Sequence, residues 1–190
     1  MGSPQSKWLV ERDYIALETG AAQKHEYVAG FVYAMAGAGE RHNRIALNVA
    51  VRLRAAARGS HCGVYISDMK VRIENGPVYY YPDVMLSCEP AQPDSLFKEA
   101  PCLIAEVLSP TTAAIDTREK LRAYLGIASL RYYLLVESER VAVSYYVRGR
   151  DGEWLMATLD SGERVVVECG PVQAALALPE IYEDTGLAAA

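Results

Sequence analysis

The chain has 190 residues, of which 51% are hydrophobic, and its 24 acidic against 19 basic residues give a formal net charge of −5. This length fits a single globular domain spanning residues 1–190, because domains usually contain ~100–200 residues. The negative net charge argues against a protein that coats nucleic acid by bulk charge.

The cysteines and the apolar segments indicate the cellular compartment in which the protein is expected. Cys62, Cys88, Cys102 and Cys169 form no CxxC pair, and no basic-then-apolar signal segment opens the sequence. No apolar run approaches the ~18 residues that read as a membrane span. These features predict a soluble cytoplasmic protein with reduced thiols and no membrane partner.

The first strong periodic segment runs from Glu40 to Ala57. Ile45, Val49 and Leu53 recur there at every fourth position, which is typical of one buried helix face. The segment therefore predicts a helix with His42 in its first turn.

Strand-like alternation follows this helix. It changes phase between Val64–Ile66 and Met69–Ile73, so we expect a bulge or a strand break at Ser67-Asp68. Tyr79–Leu86 is predicted as one further strand, in which Pro82 marks an edge, a bulge or a bend.

The next strand, Leu103–Leu108, is continuously apolar apart from one acid, which favours burial on both faces. Asp116–Leu125 is predicted as a helix with Asp116 as N-cap and Glu119 at the N3 position of a capping box.

The sequence of the last third of the chain predicts four more strands. Two of them are Arg131–Val136 and Val141–Arg148, and the other two, Trp154–Leu159 and Arg164–Val167, are expected to form a hairpin. Helices that alternate with groups of strands indicate an α/β or α+β fold around one mixed sheet.

Two carboxylates stand inside the apolar strands, Asp83 and Glu106, and are 106 − 83 = 23 positions apart. A buried carboxylate needs a cation, a metal or a shifted pKa. Each has a structural alternative, because Asp83 could be a turn acid after Pro82 and Glu106 could form a structural salt bridge.

The pair also suits phosphodiester cleavage. Mg²⁺ is bound by one or two carboxylates, with water and phosphate oxygens at ~2.0–2.1 Å completing its six ligands. Lys120 is the best candidate to hold the attacking water and offset charge in the transition state. Its alternatives are a solvated charge or an i,i+4 partner of Asp116, worth only ~0.3–0.5 kcal/mol.

A set of spaced motifs then identifies a family. The motifs are Tyr81-Pro82-Asp83-Val84, Glu106-Val107-Leu108-Ser109-Pro110-Thr111-Thr112, Asp116, Lys120, Tyr124 and Arg131–Val136. Together they resemble the Uma-two family of putative restriction endonucleases, within the PD-(D/E)xK nuclease-like superfamily.

This resemblance implies an α/β restriction-endonuclease-like core with a central mixed sheet flanked by helices. It also implies Mg²⁺-dependent hydrolysis of DNA phosphodiesters, with Mn²⁺ as a substitute and with Asp83 and Glu106 as metal ligands. Leu108 occupies the superfamily's usual lysine position, and the resemblance is to members whose lysine lies on the next helix, here Lys120. A further acid is expected near the first helix, either Glu26 or Glu40.

Other interpretations stay open. His42 is either a contact to phosphate or metal, or a satisfied core histidine. The main alternative to an enzyme is a catalytically silent nuclease-like module that binds nucleic acid or protein, and a small phosphorylated substrate is a more distant one. A twofold homodimer is expected of an enzyme that cuts both strands.

Overall fold

The computed structural model describes residues 8–35, 37–73, 77–92, 94–110 and 116–188. Thr111 and Thr112 of the sequence motif lie outside the described residues, and so does the side chain of Asp116 with its predicted capping role.

The helices are α1 (Glu11–Gly20), α2 (Glu40–Ala56), α3 (Leu121–Leu125) and α4 (Leu178–Ile181), with a π-helical turn (Asp116–Lys120) directly before α3. The strands are β1 (His25–Val28), β2 (Phe31–Ala34), β3 (Gly63–Ile66), β4 (Lys70–Ile73), β5 (Val78–Tyr80), β6 (Val84–Ser87), β7 (Phe97–Lys98), β8 (Pro101–Leu108), β9 (Tyr132–Glu137), β10 (Val143–Arg148), β11 (Trp154–Thr158), β12 (Val165–Cys169) and β13 (Val172–Leu176).

These strands form two larger sheets and a hairpin. A six-stranded sheet has the order β11-β10-β9-β8-β6-β3, and a five-stranded sheet has the order β2-β1-β5-β4-β7. Within the six-stranded sheet, β8 and β9 run parallel and the other neighbours run antiparallel. The mixed α/β architecture is therefore confirmed, but the expectation of one sheet is wrong, because the chain passes back and forth between two sheets. Two of these passages bear on the predicted strands, and we call them the first and the second crossing.

The first crossing lies at Ser67-Asp68, where the change of phase predicted a strand break. Ser67 has a φ of 48°, and the chain passes there from β3 in one sheet to β4 in the other. The left-handed backbone interrupts the ladder, because extended strands need negative φ.

The second crossing divides the segment predicted as a single strand from Tyr79 to Leu86. β5 belongs to the five-stranded sheet and β6 to the six-stranded sheet, with Pro82 between them. Proline has no N–H for a ladder, so it marks the point where one strand ends. Ser67 N donates to the carbonyls of Pro82 and Asp83 at 3.2 and 3.3 Å, which joins the two crossings.

The predicted hairpin of Trp154–Leu159 with Arg164–Val167 is also wrong. β11 pairs with β10, from Arg148↔Trp154 to Ser144↔Thr158, whereas β12 pairs with β13. The tight turn at Gly149, whose N–H donates to Glu153 O at 2.8 Å, explains why β11 folds back on β10.

The core lies on both faces of the six-stranded sheet. Ile45, Val49 and Leu53 of α2 are fully buried against one face, as their spacing predicted. The other face contributes Ile104 to a second cluster with Tyr124 of α3. β8 is therefore covered on both sides, which confirms its predicted double burial.

The cysteines form two disulfides, Cys62–Cys88 and Cys102–Cys169, so the expectation of reduced thiols is wrong for this structure. Pairing of β3 with β6 brings Cys62 and Cys88 together, whereas Cys102 and Cys169 lie on β8 and β12, which belong to different sheets. A search for local CxxC spacing detects neither arrangement. Among the residues that the structure describes, no helix is long and apolar enough to cross a membrane.

Candidate active site

The two crossings place Asp83 beside strand β8. Its Oδ2 accepts a hydrogen bond from Val107 N at 2.8 Å, and its own N–H donates to Glu106 Oε2 at 3.3 Å. Each carboxylate is therefore held by the backbone of the other's strand. Asp83 directly precedes β6, whose Val84 pairs with Ala105 of β8, so the two acids lie next to each other.

Glu106 is the deeper of the two acids, with 2% of its surface exposed. Its Oε1 accepts a hydrogen bond from the Tyr124 hydroxyl at 2.9 Å and lies 3.3 Å from Lys120 Nζ. Burial, and then the nearby Glu106 charge, raise the pKa of Tyr124 well above its ordinary value. Tyr124 is therefore a neutral donor that fixes the orientation of the Glu106 carboxylate.

Lys120 is the last residue of the π-helical turn and is 7% exposed, so the alternative of a solvated charge is wrong. Its Nζ lies 2.9 Å from Glu26 Oε1 and 5.4 Å from the centroid of the Tyr80 ring. Lys120 Nζ is thus held by two carboxylates inside the cluster.

Glu26 comes from β1 in the other sheet and is 4% exposed. Besides Lys120, its Oε1 lies 3.5 Å from Tyr81 N, one residue before Pro82. The alternative acid, Glu40, has a side chain that is 85% exposed and pairs with Arg44. Of the two acids, the structure brings Glu26 into the buried cluster.

His42 stands in the first turn of α2, as predicted, with Nε2 3.3 Å from Asp83 Oδ2. Its side chain is largely but not fully buried. His42 therefore contacts the carboxylate directly and is more than a packed core side chain.

A cavity of about 800 Å³ opens over this cluster and is lined by His42, Asp83, Glu106 and Lys120. Two basic side chains also line it, Lys24 and Arg41. Lys24 forms an ion pair with Asp68, and Arg41 Nη1 lies 3.1 Å from Glu139 Oε2. The rim of the cavity, where Lys24 and Arg41 lie, thus carries exposed, exchangeable ion pairs. The buried cluster of Glu26, Asp83, Glu106 and Lys120, called here the floor, carries buried ones.

The charges of the floor suit a divalent cation. With Glu26, Asp83 and Glu106 ionised and Lys120 protonated, the formal charge is −3 + 1 = −2. Carboxylate oxygens are the hard ligands that Mg²⁺ and Mn²⁺ prefer, and water and phosphate can reach those of Asp83 and Glu106, which line the cavity. The donor set therefore fits the metal that the sequence resemblance implies.

All five predicted site residues meet in one network. What the sequence did not assign is the hydroxyl of Tyr124, although Tyr124 follows Lys120 by one helical turn and so had to share its face. The rim residue Lys24 carried no comparable signal, because charged residues beside turns are common.

The fold and the buried carboxylate cluster define a nuclease-like protein of restriction-endonuclease architecture. The chain belongs to the Uma2 family, described as "Putative restriction endonuclease", whose model matches residues 12–179.

Two curated relatives come from Synechocystis sp. (strain ATCC 27184 / PCC 6803 / Kazusa). The uncharacterized protein slr1290 is 35% identical over 158 residues, which cover 83% of each chain. The uncharacterized protein sll1609 is 33% identical over 166 residues, covering 86% of this chain and 93% of the relative.

Among solved structures, a putative nuclease belonging to DUF820 from Anabaena variabilis ATCC 29413 aligns with a TM-score of 0.67. The alignment covers 85% of this chain and 91% of that one at 13% identity, which is evidence for a shared fold.

Proposed function

We propose that the protein is a Mg²⁺-dependent endonuclease that hydrolyses DNA phosphodiester bonds in the cavity above Asp83 and Glu106. The observation that carries this proposal is the mutual hydrogen bonding of these two acids beside the buried Lys120. A structural salt bridge needs one carboxylate for each cation, whereas here Lys120 contacts two carboxylates, those of Glu26 and Glu106, and Asp83 adds a third beside Glu106.

Asp83 and Glu106 would hold the cation, for which Mn²⁺ is the expected substitute. A divalent cation at this position supplies Lewis-acid polarisation of the phosphate and a water of lowered pKa. The remaining side chains of the site, Lys120, Glu26 and His42, are proposed to act on the water and phosphate that bind there.

Lys120 is proposed to position the attacking water and to offset the negative charge that builds on the phosphate in the transition state. Glu26 holds Lys120 in place, with its Oε1 2.9 Å from Nζ. His42 donates to Asp83 or, when the cavity is occupied, contacts a phosphate oxygen.

DNA is the proposed substrate, and Lys24 and Arg41 are proposed to contact the phosphates on either side of the one being cleaved. Both line the same cavity as Asp83 and both are paired with exposed acids that a phosphate can replace. Such local contacts are compatible with a chain whose net charge is −5.

The test is a calorimetric titration of Mn²⁺ and Mg²⁺ into the wild type, Asp83→Ala and Glu106→Ala, with cleavage of mixed DNA assayed under the same conditions. Both variants should lose metal binding and cleavage. Glu139→Ala is the matched control, because it removes a carboxylate from the rim of the same cavity without touching its floor. Metal-dependent cleavage by either floor variant would refute the assignment.

The second candidate is a silent nuclease-like module that binds nucleic acid or protein. It is favoured by Leu108 at the superfamily's usual lysine position and by Lys120 already neutralised between two carboxylates. Absence of metal binding in the wild type, with and without DNA, would select this module over the enzyme.

A twofold homodimer is proposed as the form that cuts both strands, since each copy contributes one site. Sedimentation equilibrium in the presence and absence of DNA tests it, and a monomer under both conditions would count against it.

A further inference from the structure

A second group of metal-ligating side chains lies at the other end of strand β6 from Asp83. It consists of His61, Cys62 and Cys88, one ligand atom of each lying within 4.8 Å of those of the others. Asp83 precedes β6 and Cys88 follows it, so the two sites are separated by about 16 Å at ~3.3 Å per residue.

Strand pairing creates this group. The antiparallel ladder of β3 and β6 ends at Gly63↔Ser87, so the next residues on each strand, Cys62 and Cys88, face each other. They form a disulfide in the structure. Both cysteines are anchored by the same ladder, which holds their side chains close whether or not the bond between them is present.

The turn after α2 presents the third ligand. Ser60 Oγ donates to Ala57 O at 2.7 Å and accepts from Cys62 N at 3.1 Å, which fixes the backbone on either side of His61. Cys62 is buried, Cys88 is partly buried and His61 is exposed. The group therefore has two anchored sulfurs and one solvent-facing imidazole through which an ion can enter.

We propose that Cys62, Cys88 and His61 form a binding site for Zn²⁺ or another thiophilic divalent cation when the two cysteines are reduced. Zn–S and Zn–N bonds of about 2.3 and 2.0–2.1 Å place the ligands of one tetrahedral ion about 3.5–3.8 Å apart, within the span of this group. Three protein ligands leave the fourth position for water.

The Cys62–Cys88 disulfide is the closed state of the same site. A thiol reductant transfers two electrons, the S–S bond breaks, each sulfur takes up a proton and the reductant becomes a disulfide. The cation then displaces the two thiol protons and accepts the imidazole lone pair of His61. Because the same sulfurs cannot bind the cation and each other, bound metal and the disulfide exclude one another.

The chain contains a matched control. Cys102 and Cys169 form the other disulfide, and within the described part of the chain no further histidine, cysteine or acid joins them in such a group. Two cysteines alone make a weaker site than two cysteines with an imidazole, so this second pair should not retain the ion under the same conditions.

The experiment uses Co²⁺ as a spectroscopic probe added to the full chain, oxidised or reduced under anaerobic conditions, with Zn²⁺ as competitor. Reduced wild type should show a sulfur-to-cobalt charge-transfer band at one equivalent, which Zn²⁺ removes, and oxidised protein should show none. Ions held by Asp83 and Glu106 give no such band, so the outcome is independent of the proposed nuclease site.

The double variant C62S/C88S should lose the band and C102S/C169S should keep it. His61→Ala, an exposed and structurally mild change, should weaken cobalt binding by at least about tenfold, as expected for removing a ligand. A reduced wild type without the band would overturn the proposal, as would a band lost in C102S/C169S but kept in C62S/C88S.

Discussion

Replacing Lys120 by methionine tests whether the stability of the protein depends on the positive charge of Lys120 among the buried carboxylates. Methionine keeps an unbranched side chain of similar length but removes the ammonium group between Glu26 and Glu106. All three side chains are almost fully buried, so little solvent is available to replace the lost charge.

Removing one partner from a buried ion pair usually costs about 3–5 kcal/mol. Both carboxylates keep donors, since the Tyr124 hydroxyl and backbone amides of the second crossing remain, so we expect the lower end of that range. At ~2–4 °C per kcal/mol for a domain of this size, a loss of about 3 kcal/mol lowers Tm by roughly 6–12 °C.

Thermal unfolding followed by circular dichroism, first with a chelator and then with Mn²⁺, measures the effect. A cation at 100 times its Kd stabilises by about 2.7 kcal/mol, so Mn²⁺ should recover most of the loss in Lys120→Met. The recovery should exceed the increase in wild type, whose lysine already offsets part of the negative charge.

Lys24→Met is the matched control. Lys24 lines the same cavity, but its side chain is 42% exposed and its partner Asp68 is more so, which limits their pairing to about 1 kcal/mol or less. If Lys120→Met and Lys24→Met unfold within a degree or two of each other, the view of Lys120 as a buried counter-ion is refuted.

Two further predictions concern hydrogen bonds to carboxylates. Tyr124→Phe removes the 2.9 Å donor to Glu106 and should lower the free energy of unfolding by about 1.5–3 kcal/mol in urea titrations; an unchanged midpoint would contradict the positioning role. Hydrogen bonds from Arg72 and then Tyr79 lower the pKa of Glu11 below its ordinary value. The stability from Glu11 is therefore present above its unfolded pKa and is lost as pH falls through the folded pKa. Glu11→Gln should have a lower free energy of unfolding than wild type at neutral pH, and this difference should shrink at acid pH. An equal difference at neutral and acid pH would contradict this prediction.

Sequence periodicity predicted the elements whose contacts are repetitive. α2 follows from the spacing of Ile45, Val49 and Leu53, and β8 follows from its continuous apolar run. The pairing partner of each strand is harder to predict, because an alternating pattern indicates that a strand is half-buried but does not indicate which strand lies beside it. That is why β11 and β12 were joined in a hairpin that the structure does not contain.

The site was predictable to the extent that motifs with fixed spacing identified it. Asp83 and Glu106 stood out as acids inside apolar strands and Lys120 as the lysine that follows them, and the family resemblance added the metal-ligand roles. The structure brings these three residues together with Glu26 and His42. The disulfides were not predictable, since they depend on tertiary contacts between residues far apart in sequence, which are the β3–β6 ladder for Cys62–Cys88 and the approach of β12 to β8 for Cys102–Cys169.

The sheet crossing at Pro82 explains how one acid can be both fixed and accessible. Both faces of β8 are covered, so Glu106 on that strand is buried. Asp83 stands between strands, where its amide and carboxylate bond to β8 while its side chain stays 18% exposed beneath the cavity.

The two acids are therefore unequal. Glu106 is held by Tyr124 and Lys120 from below, which fixes its position before any ligand arrives, whereas Asp83 meets the cavity and His42. A cation entering from solvent would meet Asp83 first and Glu106 second. Because β5 and β6 belong to different sheets, the break in the ladder at Pro82 is what makes room for this arrangement. The feature that made the single-strand prediction wrong is thus the one that creates the candidate site.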